Sequence, residues 1–395
     1  MSRYVIVGNG VAGTSAAEEI RKQDPNGSID IFSIEDRPFY YRIRLPEVVA
    51  GDVQEDTIVA RNPKWYTDQG MNLHLETRVS AIDAEKKTLA TEDGQEFPYD
   101  RLLLANGSHS FIPPIQGADK PGVFALRTMQ DVREIREWAQ NSEQAVLIGG
   151  GLLGLEAGNG LRKLGKQVTV VEVFPRLLPR QLDAKGASRL QSMLEDMGFR
   201  FYLGAKTTSI EGEHAADKVI LDDGTSLPTD LILVSAGVRP NLELARLLNL
   251  DLDKGIKVNE FLQTSRPDIY AAGDVTEFQG RVYGIWPAAQ EQGRLAGRNM
   301  AGTGQQKAYQ GTVMANTLKV VGIDLASAGE IDAEGRYDAR VKEDDRCYRK
   351  IVMDGRSIIG CIMLGDTRGF QKVTQLMQEG TDASDMLDSL LQGAA

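Results

Sequence analysis

Apolar residues at the start of the chain form an unbroken run rather than an alternating one. In "RYVIVGNGVAGTSAAEEIRKQ" (3–23) a strand suited to burial on both faces leads into a glycine turn and an alanine-rich helix. "SIDIFSIED" (28–36) then reads as a second strand ending in Glu35. The same order returns about 140 residues later, in "QAVLIGGGLLGLEAGNGLRKLG" (144–165) and "KQVTVVEVF" (166–174). Each half predicts a βαβ unit with parallel strands. Strand–turn–strand patterns follow both. "LATEDGQEFPYDRLLLANGS" turns at Asp93-Gly94 and returns through Leu102–Leu104; "VILDDGTSLPTDLILVSAGVRPN" turns at Asp223-Gly224 and returns through Leu231–Val234. The two halves therefore read as an internal duplication.

Other segments divide the chain. "FIPPIQGADKPG" (111–122) is proline-rich and marks a crossing between domains. "TSRPDIYAAGDVTEF" (264–278) is a short strand with a glycine turn, and "WPAAQEQGRLAGRNMAG" (286–302) predicts a helix starting after Pro287. From about Gln305 the pattern changes to a small sheet plus a helix. The expected fold class is α/β: two Rossmann-like dinucleotide-binding domains and a small C-terminal α+β domain. The expected boundaries are 1–110 with 235–305, then 111–234, then 306–395, with an acidic tail from Glu379.

Composition narrows the chemistry. A net charge of −11 and a pI near 5.0 argue against general nucleic-acid or anionic-membrane binding. Cys347 and Cys361 stand fourteen residues apart, which argues against a disulfide framework, structural zinc or an iron–sulfur cluster. No apolar run reaches the length of a membrane span. The first residues enter a strand with no signal-peptide pattern ahead of them, so the expected location is the cytoplasm. His74, His109 and His214 are isolated and read as solvated or structural; no metal site is expected.

The glycine turns carry the functional signal. In Gly8-Asn9-Gly10-Val11-Ala12-Gly13 the first glycine makes the tight turn. The second lets backbone approach a pyrophosphate, and the third lets helix pack on strand. Glu35 follows where a carboxylate can accept from ribose hydroxyls. Gly149, Gly151 and Gly154 repeat the turn, with Glu172 as the distal acid. Two such sites imply two dinucleotides, a resident flavin and an exchanging nicotinamide nucleotide. A carboxylate at Glu172 favours NADH over NADPH, while Arg176, four residues on, works against that preference.

With "LLLANGS", "SAGVRPN" and "DIYAAGD" added in order, residues 1 to about 305 resemble the FAD-dependent pyridine nucleotide–disulfide oxidoreductases. "VEVFPRLLPRQLD", "NTLKVVGIDLASAGEI" and "YRKIVMDGRSIIGCIMLGDTRG" are similar to NADH:rubredoxin oxidoreductases and to the flavin-containing part of assimilatory NADH-nitrite reductases. The resemblance implies that Gly8, Gly10, Gly13 and Glu35 hold the ADP half of FAD. It implies that Gly273 and Asp274 meet the pyrophosphate and ribityl chain, with Ala105, Asn106 and Gly107 beside them; Asn106 departs from the usual threonine. Gly149, Gly151, Gly154 and Glu172 would hold NADH, with Gly237 and Arg239 near the nicotinamide. Pro287, Ala288 and Ala289 would aim a helix N-terminus at the flavin's pyrimidine edge.

Glu156 would lie near flavin and nicotinamide. Relatives pair that glutamate with a lysine where Glu47 stands here, leaving Arg42 or Arg44 as substitutes. "RPFYYRIRLPE" (37–47) holds no cysteine where disulfide reductases carry theirs, so Arg42 and its neighbours become the expected flavin-facing wall, and Arg37 and Arg42 candidates to steer an acidic acceptor. The implied activity passes electrons from NADH through FAD to a small protein such as rubredoxin. The alternatives are an NADH oxidase, the flavin subunit of a nitrite-reductase-type complex, or an NADH-sensing flavoprotein. Both monomer and homodimer are compatible with the sequence.

Overall fold

The computed structural model describes residues 1–302, 304–312, 315–344 and 347–393, with side chains omitted for 315–319. The chain forms two compact units. One comprises Met1–Arg42, Glu55–His109 and Val238–Thr312; the other comprises Ile43–Gln54, Ser110–Gly237 and Val313–Ala395.

The first unit is built on a five-stranded parallel sheet. Its strand order is Ile269–Ala271, Arg101–Leu104, Arg3–Val7, Ser28–Phe32, Asn72–His74. Tyr4, Val5, Ile6, Ile29, Ile31, Leu102, Leu103 and Leu104 are all buried, as strands covered on both faces require. The second unit repeats the arrangement around Gln144–Ile148. Gln167–Glu172 and then Arg200–Leu203 lie on one side, and Leu231–Val234 and then Val123–Ala125 on the other, all parallel.

Each half also carries a three-stranded antiparallel sheet, Val79–Asp83, Thr88–Thr91, Glu96–Pro98 and Thr207–Glu211, Lys218–Leu221, Ser226–Pro228. The two Asp-Gly turns close their second hairpins. The outer strands are not anticipated by the sequence reading. Both have a register shift near their start, at Val79/Ala81 and Thr207/Ser209, so the duplication extends to its irregularities.

One boundary differs from expectation. The second strand of the first half ends at Phe32, so Glu35 lies in the following bend, whereas Glu172 ends its strand. Ile34 is 61% exposed. Ser33 N still bonds His74 O, after which the backbone leaves the sheet.

In the second unit, the short helix Leu45–Ala50 packs on the Leu152–Lys163 helix at Gly160, where a Cβ would lie 3.0 Å from Pro46 O. Phe111 N donates to Gly237 O at 2.9 Å. The C-terminal part is a five-stranded antiparallel sheet in the order Ala315–Val320, Ile323–Gly329, Ser357–Leu364, Tyr348–Asp354, Asp338–Glu343. The Phe370–Glu379 helix buries Phe370, Val373 and Leu376 against it. The tail adds a one-turn 3₁₀ segment and the Leu387–Leu391 helix; Ala394 and Ala395 lie outside the described residues.

Candidate functional site

The first glycine turn shows three glycines kept for three reasons. Gly8 has φ +111°, and a Cβ there would sit 2.1 Å from Ala105 O. A Cβ on Gly13 would sit 1.9 Å from Gly8 O. Gly10 has φ −88° and nothing within 4 Å of a built Cβ. Among the described residues, no neighbour and no strain requires glycine at position 10. Its bare backbone suits close approach of an external group at the start of the Val11–Gln23 helix, whose cap has no side-chain hydrogen bond.

The surrounding polar atoms agree. Asn9 Oδ1 accepts from Tyr66 OH at 2.9 Å and Thr14 Oγ1 at 3.3 Å, while Asn9 Nδ2 is buried without a partner. Asn9, Gly10, Ser33, Glu35, Arg37, Pro38, Phe39, Tyr40 and Arg42 line one pocket. Glu35 accepts from Tyr40 OH and from the Arg42 guanidinium, so its carboxylate is held in place. Arg42 also donates to Tyr40 OH at 3.1 Å. Arg37 is paired with Glu55 and, at 2.8 Å, with Asp56. Both arginines therefore serve carboxylates of their own unit, which weakens them as free steering charges.

A second group lies in the same unit. Gly273 has φ +85° and donates its N–H to Gln292 Oε1 at 2.9 Å. Gln292 is almost fully buried, and its Nε2 has no partner. Asp274 accepts from Ser108 Oγ at 2.8 Å. Ala105 is buried, and Gly107 takes a left-handed turn at φ +67°. Asn106 Nδ2 donates to Asn241 O at 3.0 Å, and Asn241 Nδ2 donates to Asn106 O at 2.7 Å. This reciprocal pair accounts for the asparagine at position 106. His109 Nδ1 lies 2.7 Å from Asn241 Oδ1, a structural role as expected.

The helix carrying Pro287 runs from Trp286 to Ala301, two residues earlier than expected, with proline within its first two positions and Ala288 and Ala289 buried behind it. It crosses the first helix without side chains between them. A Cβ on Gly293 would lie 2.3 Å from Ala12 O, and one on Gly297 would lie 2.4 Å from Ala16 O. Sequence reasoning passes over this pair: the small-residue spacings Gly293-Gly297 and Ala12-Ala16 can be read, but not that they face one another. Phe39 and Tyr41 gather around Trp286 at the helix start, with ring centroids 5.8 and 5.5 Å away.

The second glycine turn has the same division of labour. Gly149 has φ +114° and would place a Cβ 2.3 Å from Ser235 O; a Cβ on Gly154 would lie 2.6 Å from Gly149 O. Gly151 meets nothing within 4 Å. Glu172 is buried and accepts from Gly150 N at 2.7 Å and Phe174 N at 2.9 Å, which ties the distal acid to the turn. Arg176 donates to Pro179 O at 3.5 Å. Gly237 has φ +98°. Arg239, in the first unit, is exposed and reaches back to Val238 O at 3.3 Å.

Glu156 has a different partner from the cation the sequence suggests. Its Oε1 accepts from Val321 N at 2.9 Å, in the turn between two strands of the C-terminal sheet. Val321 sits there at φ +57°, a conformation that β-branched residues resist. Arg44 pairs with Glu47 at 2.7 Å. Burial first of all holds the Glu156 carboxyl above the usual carboxylate range; Glu47 adds to this, while Val321 N–H and Lys163 oppose it. A raised folded value gives stability that is present in acid and lost as pH rises through that value. Glu156→Gln, which keeps the acceptor oxygen, should therefore gain thermal stability relative to the parent at pH 8. That gain should shrink toward pH 5 in paired thermal melts.

Cys347 and Cys361 are buried free thiols. Burial pushes Cys361 up to about 12 and also raises Cys347, whose Sγ lies 3.1 Å from Asp344 Oδ2. Neither is poised as a thiolate. Among the described residues, no group of three or more His, Cys, Asp or Glu could hold a metal ion, and no helix is long and apolar enough to cross a membrane.

Residues 2–293 match the pyridine nucleotide-disulphide oxidoreductase family, and 315–381 match the rubredoxin NAD+ reductase C-terminal domain. A nitrite reductase [NAD(P)H] of Bacillus subtilis is 38% identical over 97% of this chain and 48% of its own length. An NADH oxidase of Methanocaldococcus jannaschii is 36% identical over 94% of this chain and 89% of its own. The solved NADH:rubredoxin oxidoreductase from Clostridium acetobutylicum superposes with a TM-score of 0.82 at 26% identity, covering 99% of each chain. The chain spans about half the length of the first curated relatives it matches.

Proposed function

The chain belongs to the pyridine nucleotide-disulphide oxidoreductase family, and on that premise we propose that it is an NADH-dependent flavoprotein reductase. Its electrons pass without a redox-active cysteine to a small electron-transfer protein such as rubredoxin. The observation that carries this reading is the pair of open glycines, Gly10 and Gly151, each flanked by glycines that the chain's own packing demands.

FAD, when bound, supplies the chemistry by accepting hydride from NADH and releasing electrons singly. The chain's residues bind and orient. Gly8, Gly10 and Gly13 bring the first helix N-terminus to the pyrophosphate, and Glu35, fixed by Tyr40 and Arg42, takes the ribose. Asp274, Gly273 and the Ala105–Gly107 turn serve the rest of the flavin nucleotide, with the Pro287–Ala289 helix start stabilising negative charge on the ring. Gly149, Gly151, Gly154 and Glu172 take NADH, Gly237 and Arg239 bear on its nicotinamide end, and Glu156 tunes the second site. The buried carboxylate of Glu172 supports a free 2′-hydroxyl, hence NADH over NADPH.

The thiols' burial and raised pKa support a flavin-only route. A Cys347→Ser/Cys361→Ser double variant should keep NADH turnover within about twofold. A tenfold loss in stopped-flow assays would put a thiol back on the path. The main test is anaerobic reduction by NADH or NADPH, followed by mixing with rubredoxin, ferredoxin or oxygen. Rapid reoxidation by a carrier protein supports the reading; reoxidation by oxygen alone at an equal rate favours an oxidase. The likeness to the B. subtilis nitrite reductase across nearly the whole chain favours a second reading, the flavin-bearing part of a larger reductase. Reoxidation by a separate haem-containing reductase, and by neither rubredoxin nor ferredoxin, would select it.

A further inference from the structure

The loop after Glu172 is secured at its far end by the C-terminal sheet. It runs from Val173 to Leu182, exposes Val173 and Phe174, and buries Leu177, Leu178 and Leu182. Leu178 is held at φ +47°, so the loop is a specific conformation rather than a slack connection. It ends at Asp183, whose Oδ1 caps the Ala184–Asp196 helix by accepting from Gly186 N at 2.9 Å.

The other oxygen of Asp183 is occupied from the sheet. Oδ2 accepts from Tyr348 OH at 2.7 Å and from Lys350 Nζ at 3.2 Å. Lys350 also donates to Asp332 O at 2.8 Å and lies 3.7 Å from Asp332 Oδ2. Asp332 Oδ1 in turn accepts from Arg336 N at 2.6 Å. These side chains are withdrawn from water: Lys350 is 8% exposed, Asp332 2% and Asp183 10%. Tyr348 stays protonated and able to donate, because burial and then Asp183 raise its pKa.

Burying an ammonium and two carboxylates is an expensive way to join two surfaces, and apolar packing often does so at equal or greater stability. What the cluster adds is direction. A charged, hydrogen-bonded Asp183 fixes the far end of the loop whose near end carries Phe174 and Glu172. On the other side of the same glycine turn, Glu156 ties the Leu152–Lys163 helix to Val321 of the same sheet. The C-terminal sheet thus grips both pieces that frame the second turn.

We propose that Tyr348 and Lys350 are positioning residues for the nicotinamide nucleotide, acting through Asp183 on the loop that follows Glu172. This rests on the reading that Glu172 receives the nucleotide's ribose. The test uses flavin-loaded full chain with ferricyanide as acceptor. Tyr348→Phe and Lys350→Met should each raise KM for NADH by about five- to tenfold while kcat and flavin content stay level. Arg349→Met is the control for general loosening. Arg349 is just as buried in the same strand but bonds Leu390 O and pairs with Asp366 instead. Its KM should not move.

An unchanged KM in Tyr348→Phe, or an equal rise in Arg349→Met, overturns the proposal. Tyr348→Phe removes one hydroxyl and decides the matter even if Lys350→Met fails to fold. Glu172→Ala separates the two levels. If it leaves KM for NADH unchanged, the underlying reading falls. If it raises KM while Tyr348→Phe does not, only the positioning role falls.

Discussion

Gly10→Ser protein should fold with unchanged or slightly raised stability and bind FAD on the order of 100-fold more weakly, about 2.8 kcal/mol. The two effects separate because the position has two different neighbours. Toward the chain there is open space: no atom lies within 4 Å of the added Cβ, and φ −88° with an extended ψ is ordinary backbone for serine. Serine is also a better helix cap than glycine, and no side chain caps this helix now. Toward the dinucleotide the same Cβ and hydroxyl occupy the approach of the pyrophosphate. Gly13→Ser is the counter-case. Its Cβ would fall 1.9 Å from Gly8 O, so that variant should lose stability whether or not flavin is present. Melting curves of apoprotein and flavin-loaded protein check both. If Gly10→Ser retained flavin with parental affinity, the first turn would be a structural loop.

Gly297→Val should cost about 3 kcal/mol or more of stability, at the upper end of overpacking effects. The first Cβ atom alone would stand 2.4 Å from Ala16 O and 2.9 Å from Ala16 Cα. The obstruction is backbone, so trimming the opposite side chain does not relieve it. Ala16→Gly should therefore fail to rescue Gly297→Val, whereas it would rescue a side-chain clash. The two helices must separate, and the start of the Trp286–Ala301 helix moves with them, so flavin affinity should fall as well. Denaturant titration of the single and double variants measures the first effect, and flavin fluorescence on dilution the second.

How far the sequence reveals the molecule depends on the range over which each feature is encoded. The duplicated parallel sheets are legible because buried strands write continuous apolar runs, and both Asp-Gly pairs announce their hairpins locally. Gly8 and Gly149 are legible because the tight turn needs positive φ within a short motif. Gly293 and Gly297 are not, because their reason lies in the carbonyls of Ala12 and Ala16, nearly 300 residues earlier in the chain. Asn106 looks like a departure until Asn241 is found opposite it. Glu156 illustrates the limit most clearly. Its place in the fingerprint helix is readable, but its partner is a backbone N–H supplied by a distant strained turn. The bonds of Tyr348 and Lys350 to Asp183 are of the same long-range kind and leave no trace in spacing or periodicity.

The hydrogen bond from Phe111 N to Gly237 O bears on how such a chain can change over evolutionary time. Residues 110–237 begin and end side by side within their own unit, so a substitute stretch can start and stop at adjacent points. A replacement from a relative has to match those two ends and the partners of its own unit. On the proposed reading, nucleotide preference at the second turn would then be exchanged as a block, with the strand order of the first sheet untouched.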